Sequence, residues 1–271
     1  MSACSSVYNV VSIAGSDPSG GAGIQADLKA FSAHGTYGMS VVTALTAQST
    51  RGVTGVHGVP AEFVTHQMET LFADAPVHAV KIGMLGTAET TEAVADALTR
   101  HALPRVVVDP VMVAKSGDRL LEASATEALR KVLLPRADLV TPNLPEAADL
   151  LGCEEAADLA GMRDQAYRLL ELGPRQVLVK GGHLEGPESI DVLVSRDADP
   201  VEFTAPRVAT RNTHGTGCTL SSSIAALLPQ RPDTASAVAD AKAYLTEALR
   251  RADEIDAGGG QGPVHHFHRW W

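Results

Sequence analysis

The sequence predicts an α/β fold built on a mostly parallel sheet with helices on both faces. Two observations carry the prediction. Short β-branched runs alternate with longer helical patterns along the chain, and the strand-like runs are continuously apolar, as strands buried on both faces are. Composition supplies the core: of 271 residues, 45% are hydrophobic and 20% charged, which excludes disorder. One domain over residues 1–271 is expected, since α/β folds commonly reach about 250 residues as one unit.

The elements follow in order. Residues 7–14 read as a strand and 22–34 as a helix, joined by a glycine-rich turn. Residues 40–46 read as a strand and 61–73 as a helix. Residues 79–82 and 106–108 read as short buried strand cores, with a helix over 89–100 between them. A helix over 124–134 precedes a strand at 139–141. Residues 159–172 look helical, and 177–180 form another buried strand. Residues 190–195 and 201–204 pattern as a hairpin, and two helices follow at 217–228 and 234–252. The irregular tail carries His265, His266 and His268, a run with no defined ligand spacing and no acid beside it. A packed tail is expected there rather than a metal site.

Charge and composition narrow the partners. A net charge of -10 and 4% aromatic residues speak against nucleic acid and anionic membrane. Cys4, Cys153 and Cys218 are odd in number and far apart, which fits a reducing cytoplasm better than a disulfide framework. Neither a signal peptide nor a membrane-spanning run is read in the sequence.

Parallel sheets place ligands at the carboxyl ends of their strands, so the residues just after each strand are the candidates. The first such turn, Gly15 to Gly23, matches neither a dinucleotide fingerprint nor a Walker A loop; it is either a tight connection or a ligand contact. Asp27 follows within the first helix, and Gln48, whose amide can pair with a heterocycle edge, follows the second strand. Asp109, Asn143 and Glu146 sit after later strands. Their oxygens suit Mg²⁺ near a nucleotide phosphate, although Asn143 and Glu146 also have the spacing of a helix capping box. Lys180, beside two glycines, is a phosphate contact or a solvated turn charge. The sharpest feature is Asn212-Thr213-His214-Gly215-Thr216-Gly217-Cys218, where glycines free several N–H groups at a helix N-terminus for one anion. A thiol in that first turn is expected to have a lowered pKa and to serve as a base near neutral pH.

Together these motifs resemble the ribokinase-like kinases of vitamin precursors, and among them the hydroxymethylpyrimidine/phosphomethylpyrimidine kinases of thiamine biosynthesis. The resemblance runs through Ala14-Gly15-Ser16-Asp17-Pro18, Thr46-Ala47-Gln48, Lys81-Ile82-Gly83-Met84, Asp109-Pro110-Val111-Met112, Lys115-Ser116-Gly117, Thr141-Pro142-Asn143, Lys180-Gly181-Gly182-His183 and the Cys218 loop. It implies a three-layer α/β/α fold, ATP with Mg²⁺, a cytoplasmic homodimer, and successive phosphorylation of the pyrimidine alcohol and its monophosphate. Carried over by motif, Gly15, Asp27, Gln48, Met84 and Val111 would bind the pyrimidine. Asn143, Lys180, Thr213 and Lys115 would contact ATP, and Asp109 and Glu146 the metal. Gly215, Thr216, Gly217 and Cys218 would form the anion hole, with Cys218 as the base where ribokinase-like sugar kinases carry aspartate. Pyridoxal kinase and a non-catalytic pyrimidine sensor are the alternatives this resemblance leaves open.

Overall fold

A computed structural model of the chain describes residues 7–112 and 123–271. Strand β1 (Asn9–Ala14) leads into α1 (Gly23–Ala33) and β2 (Tyr37–Val42). The strands β3 (Ala44–Ser49) and β4 (Gly52–Gly58) come next, then α2 (Ala61–Phe72), β5 (Ala79–Ile82), α3 (Ala88–Arg100) and β6 (Val106–Val108). Helix α4 (Ala123–Ala128) reaches β7 (Leu139–Val140) through π and 3-10 turns. The chain continues with α5 (Leu144–Leu151), α6 (Leu159–Leu170), β8 (Gln176–Lys180), β9 (Glu188–Ser195), β10 (Val201–Pro206), α7 (Thr216–Leu227) and α8 (Thr234–Arg250).

Among the described residues, eight strands form one sheet in the order β10-β9-β8-β7-β6-β5-β1-β2. All neighbours are parallel except β9, which runs antiparallel to both β8 and β10. Successive side chains of a strand point to opposite faces, and both faces are covered. Val10, Ala79, Val107, Leu139 and Leu178 pack with Phe31, Leu220, Ile224 and Val238 of α1, α7 and α8. Val11, Val80, Val106, Val108 and Val177 pack with Val64, Met68, Val94, Leu150 and Met162 of α2, α3, α5 and α6. Each fully buried aliphatic side chain contributes roughly 1.5–3 kcal/mol of transfer free energy. The result is the three-layer α/β/α arrangement.

Three local expectations change. Residues 40–46 are not one strand: β2 ends at Val42, and after Thr43 the chain enters β3 of a separate two-stranded sheet. Its partner β4 has glycine at 52, 55 and 58 and is largely exposed, so it has no apolar pattern to read. The helix predicted over 124–134 is α only as far as Ala128. Residues 129–133 form a π turn before a 3-10 turn containing Pro135, which has no amide to extend an α ladder. Helix α5 was marked in the sequence only by its cap.

The C-terminal tail is packed. The Tyr244 hydroxyl donates to the His266 carbonyl at 2.7 Å, and the Thr219 hydroxyl lies 3.0 Å from His266 Nε2. Burial holds the His266 ring down at about 3, so it is neutral.

Candidate active site

A cavity of about 720 Å³ runs across the carboxyl ends of the strands. Gly15 reaches it from the end of β1, Met84 from β5, Asp109 and Val111 from β6, Asn143 from β7, and Lys180 from β8. The first turns of α1 and α7 meet the same space through Gly23 and through Thr216, Gly217 and Cys218. Neither helix has a side-chain N-cap. At α1 the Ile24 amide is taken by the Gly15 carbonyl at 3.0 Å, whereas the Gly217 and Cys218 amides at the head of α7 lie against the cavity.

The two glycine-rich loops interlock. Asp17 accepts from the Ser19 amide (2.9 Å) and hydroxyl (2.7 Å), and from the Gly21 (3.1 Å) and Ala22 (2.8 Å) amides. Its Oδ2 also lies 2.8 Å from His214 Nε2. Burial opposes ionisation of Asp17, but these donors outweigh it and hold the carboxyl at about 2. Gly215 takes a positive φ of 76°, and a Cβ there would sit 1.8 Å from the Gly21 carbonyl oxygen. The anion-hole loop is therefore seated directly on the backbone of the first turn.

The central floor is polar. Lys180 Nζ lies 2.8 Å from Asp109 Oδ1 and 3.8 Å from Glu146 Oε2. Asp109 also accepts from the hydroxyls of Thr141 and Ser221, each at 3.2 Å. Burial opposes its charge, while Lys180 and Lys81 hold its carboxyl below the usual range. Asn143 and Glu146 form a full capping box on α5, with both bonds at 2.8 Å. The cap fixes the two side chains, and both line the cavity. Burial pushes Glu146 up to about 7, Lys180 opposing and Asp109 adding to the rise.

Two expectations are corrected. Asp27 does not line the cavity. It is fully buried, bound through both oxygens to Lys81 Nζ at 2.9 Å, and it accepts from the Ser12 and Ser222 hydroxyls at 2.6 Å each. With its acceptor sites filled inside the core, it has nothing to offer a pyrimidine edge. Cys218 is the second correction. Burial pushes its thiol up to about 11 despite the pull of Lys81, with Asp27 and Asp109 adding to the rise. Its place at the head of α7, where the Gly23 amide also faces it, does not offset desolvation.

Gln48 does line the cavity from β3; its Oε1 lies 3.2 Å from the Thr46 hydroxyl and its Nε2 3.4 Å from His214 Nε2. The other predicted residues, Gly15, Met84, Val111, Thr213, Gly215, Thr216 and Gly217, share the cavity. Lys115 lies outside the described residues. Unpredicted at the far end are Val208, Leu245 and Leu249, beside the buried pair Lys242–Asp191 at 2.6 Å. Asp17, His214 and Lys81 were also without a role. The signal for Lys81 was available: a charge inside a strand covered on both faces requires a partner.

Comparison with known proteins finds relatives over nearly the whole chain. A family model described as phosphomethylpyrimidine kinase matches residues 17–265. The hydroxymethylpyrimidine/phosphomethylpyrimidine kinase of Escherichia coli (strain K12) is 52% identical over 263 residues, covering 97% of this chain and 98% of that protein. The crystal structure of a phosphomethylpyrimidine kinase from Clostridium difficile 630 superposes with a TM-score of 0.78 at 43% identity, covering 89% of this chain and 99% of its own. The pyridoxal kinase from Staphylococcus aureus in complex with ADP gives 0.89 at 34% identity, covering 98% and 95%.

Proposed function

This chain belongs to the phosphomethylpyrimidine kinase family, and we propose on that premise that it phosphorylates 4-amino-5-hydroxymethyl-2-methylpyrimidine to its monophosphate and then to its diphosphate. It is an ATP-using phosphotransferase of thiamine biosynthesis. The observation that carries the assignment of roles is the convergence of an uncapped helix N-terminus, Lys180 and two carboxylates in one cavity.

The pyrimidine sits at the β1–β5 end, against Gly15, Met84 and Val111, with the Gln48 amide offering a donor and an acceptor to its edge. The nucleoside lies at the opposite end against Val208, Leu245 and Leu249. Amides of Gly215 to Cys218 and the Lys180 ammonium meet the transferring phosphoryl group between them, with Asn143, Thr213 and Lys115 as further ATP contacts. Asp109 and Glu146 are hard oxygen donors. Among the described residues no three His, Cys, Asp or Glu side chains form a cluster able to hold a metal, so the pair fits an ion that keeps water and phosphate ligands, as Mg²⁺ does. Mg²⁺ would supply neutralisation of phosphate charge.

In the first step the substrate hydroxyl loses its proton to Cys218 as its oxygen bonds the γ-phosphorus and the bond to ADP breaks. A positioned base of this kind is worth about 10²–10⁴-fold. In the second step the attacking phosphate oxygen is already anionic and needs positioning rather than a base. The reading extends to one kinase domain over residues 1–271, a cytoplasmic location and a homodimer, the last tested by light scattering.

The test is product mass after incubation with Mg-ATP and, separately, the pyrimidine alcohol, its monophosphate and pyridoxal. Mono- and diphosphate from the pyrimidines support the reading; no transfer to either overturns it. The likeness to the Staphylococcus aureus pyridoxal kinase favours one second reading, in which pyridoxal is also an acceptor.

A further inference from the structure

The Lys81–Asp27 pair takes no part in the roles above, yet both groups are fully buried charges. Strand register explains where they point. Ser12 on β1 pairs directly with Lys81 on β5, and both follow by two residues side chains that face α1 and α7, Val10 and Ala79. Asp27 faces them from α1. Ser222 closes the cluster from α7, one helical turn beyond Cys218 and on the same side of the helix. The pair is also oriented: Lys81 lines the cavity and Asp27 does not, so the positive end is turned toward the site. The ammonium reaches both Asp27 oxygens at 2.9 Å and has one further donor beyond that pair.

We propose that Lys81, clamped by Asp27, is a positioning residue of the alcohol phosphorylation, supplying the fixed positive charge against which Cys218 takes the substrate's proton. This rests on the kinase reading above. Cys218 enters as the thiolate and leaves as the thiol; the proton comes from the hydroxymethyl group, and the electron pair on its oxygen forms the new O–P bond. The charged groups around the sulfur are Lys81 on β5, Asp27 on α1, Asp109 after β6 and Lys180 on β8. Lys180 is engaged by Asp109 and Glu146, and Lys81 is the cation whose charge favours the Cys218 thiolate. Burial opposes thiolate formation, with Asp27 and Asp109 adding to it, which gives such a cation a task.

The test is a double-mutant cycle with two substrates and one substrate-free readout. In Lys81→Met/Asp27→Asn, which removes both charges together, kcat for the alcohol is expected to fall about 10²-fold, within the range of a general base. Turnover of the monophosphate should change less than about tenfold. Introduced into Cys218→Ala, the same pair of substitutions should add no further loss for the alcohol. Alkylation of Cys218 by iodoacetamide, followed on its peptide by mass spectrometry, reads the coupling without substrate. Its pH midpoint should move up in Lys81→Met and down in Asp27→Asn, each unit being about tenfold in thiolate. Equal losses on both substrates, additivity with Cys218→Ala, or unmoved midpoints in both single variants would overturn the proposal. Failure of the wild type to phosphorylate either pyrimidine would instead overturn the kinase reading, while the alkylation profile still reports on Lys81. If the doubly substituted protein does not fold, Asp27→Asn alone decides by the direction of its midpoint.

Discussion

His214 and Asp17 are 197 residues apart in sequence and 2.8 Å apart in the fold, where they join the two glycine-rich loops of the site. The carboxylate also gathers three backbone amides of its own turn, so one ionised group organises both loops. Its folded pKa, about 2, lies below the ordinary 3.8, so the folded state binds its proton more weakly than the unfolded chain does. The stabilisation is complete above the ordinary value and is lost as pH falls through about 2. Asp17→Asn should therefore lower thermal stability at pH 7, and the deficit should shrink in unfolding curves taken from pH 5 down to pH 2. A deficit that stayed constant across that range would rule out the ionised latch.

Gly215 and Gly35 separate backbone strain from collision. Both have positive φ, 76° and 70°, so alanine costs each about 1 kcal/mol in conformation. At Gly35 an added Cβ meets nothing within 4 Å; at Gly215 it meets the Gly21 carbonyl oxygen at 1.8 Å. Gly35→Ala should lose that small stability increment and keep full turnover. Gly215→Ala must push the anion-hole loop off the first turn and should lose at least about 10²-fold in kcat, as removal of oxyanion-hole donors does. Steady-state kinetics and thermal melts of the two variants check both halves.

Much of this arrangement was legible because α/β sheets announce themselves. Continuous apolar runs such as Val106-Val107-Val108 located the strands, and the strand-end rule then located Asp109, Asn143 and Lys180. What failed was environment. Asp27 was given the pyrimidine edge by resemblance alone, but it lies on the buried face of α1 with Ala26, Ala30 and Phe31. Lys81 passed unnoticed inside an otherwise apolar strand. Cys218 was placed correctly and the direction of its pKa shift misjudged, because a helix N-terminus is visible in sequence while desolvation is not. The glycine-rich β4 lacks a buried face and so leaves no hydrophobic period.

Lys180 stands between Asp109 and Glu146, and its removal leaves two buried acids facing each other. Lys180→Met should cost about 3–5 kcal/mol in stability, the range for breaking a buried pair, moderated by the Ser221 and Thr141 hydroxyls that still serve Asp109. Turnover with ATP should fall by about 10²–10³. Lys242→Met breaks a comparable buried pair with Asp191 at the nucleoside end of the same cavity. It should match the stability loss without matching the loss of kcat; equal kinetic losses in the two variants would argue against a role for Lys180 in transfer.

Glu146 should oppose stability to function. Burial raises its folded pKa from 4.5 to about 7 in the metal-free protein. The folded state then holds the proton more tightly than the unfolded chain, so stability falls as pH rises from about 4.5 to 7, and the full penalty persists above that window. Glutamine cannot ionise, yet its amide oxygen can still accept from the Asn143 amide and preserve the capping box. Glu146→Gln should therefore melt with the wild type near pH 4.5 and be more stable than it by about 1–3 kcal/mol at pH 8. The same variant gives up a carboxylate assigned to the metal and should raise the Mg²⁺ concentration needed for half-maximal turnover by about tenfold or more. Stabilisation without that shift would place Glu146 in the cap alone; a loss of stability at pH 8 would mean that its charge is compensated in the folded protein.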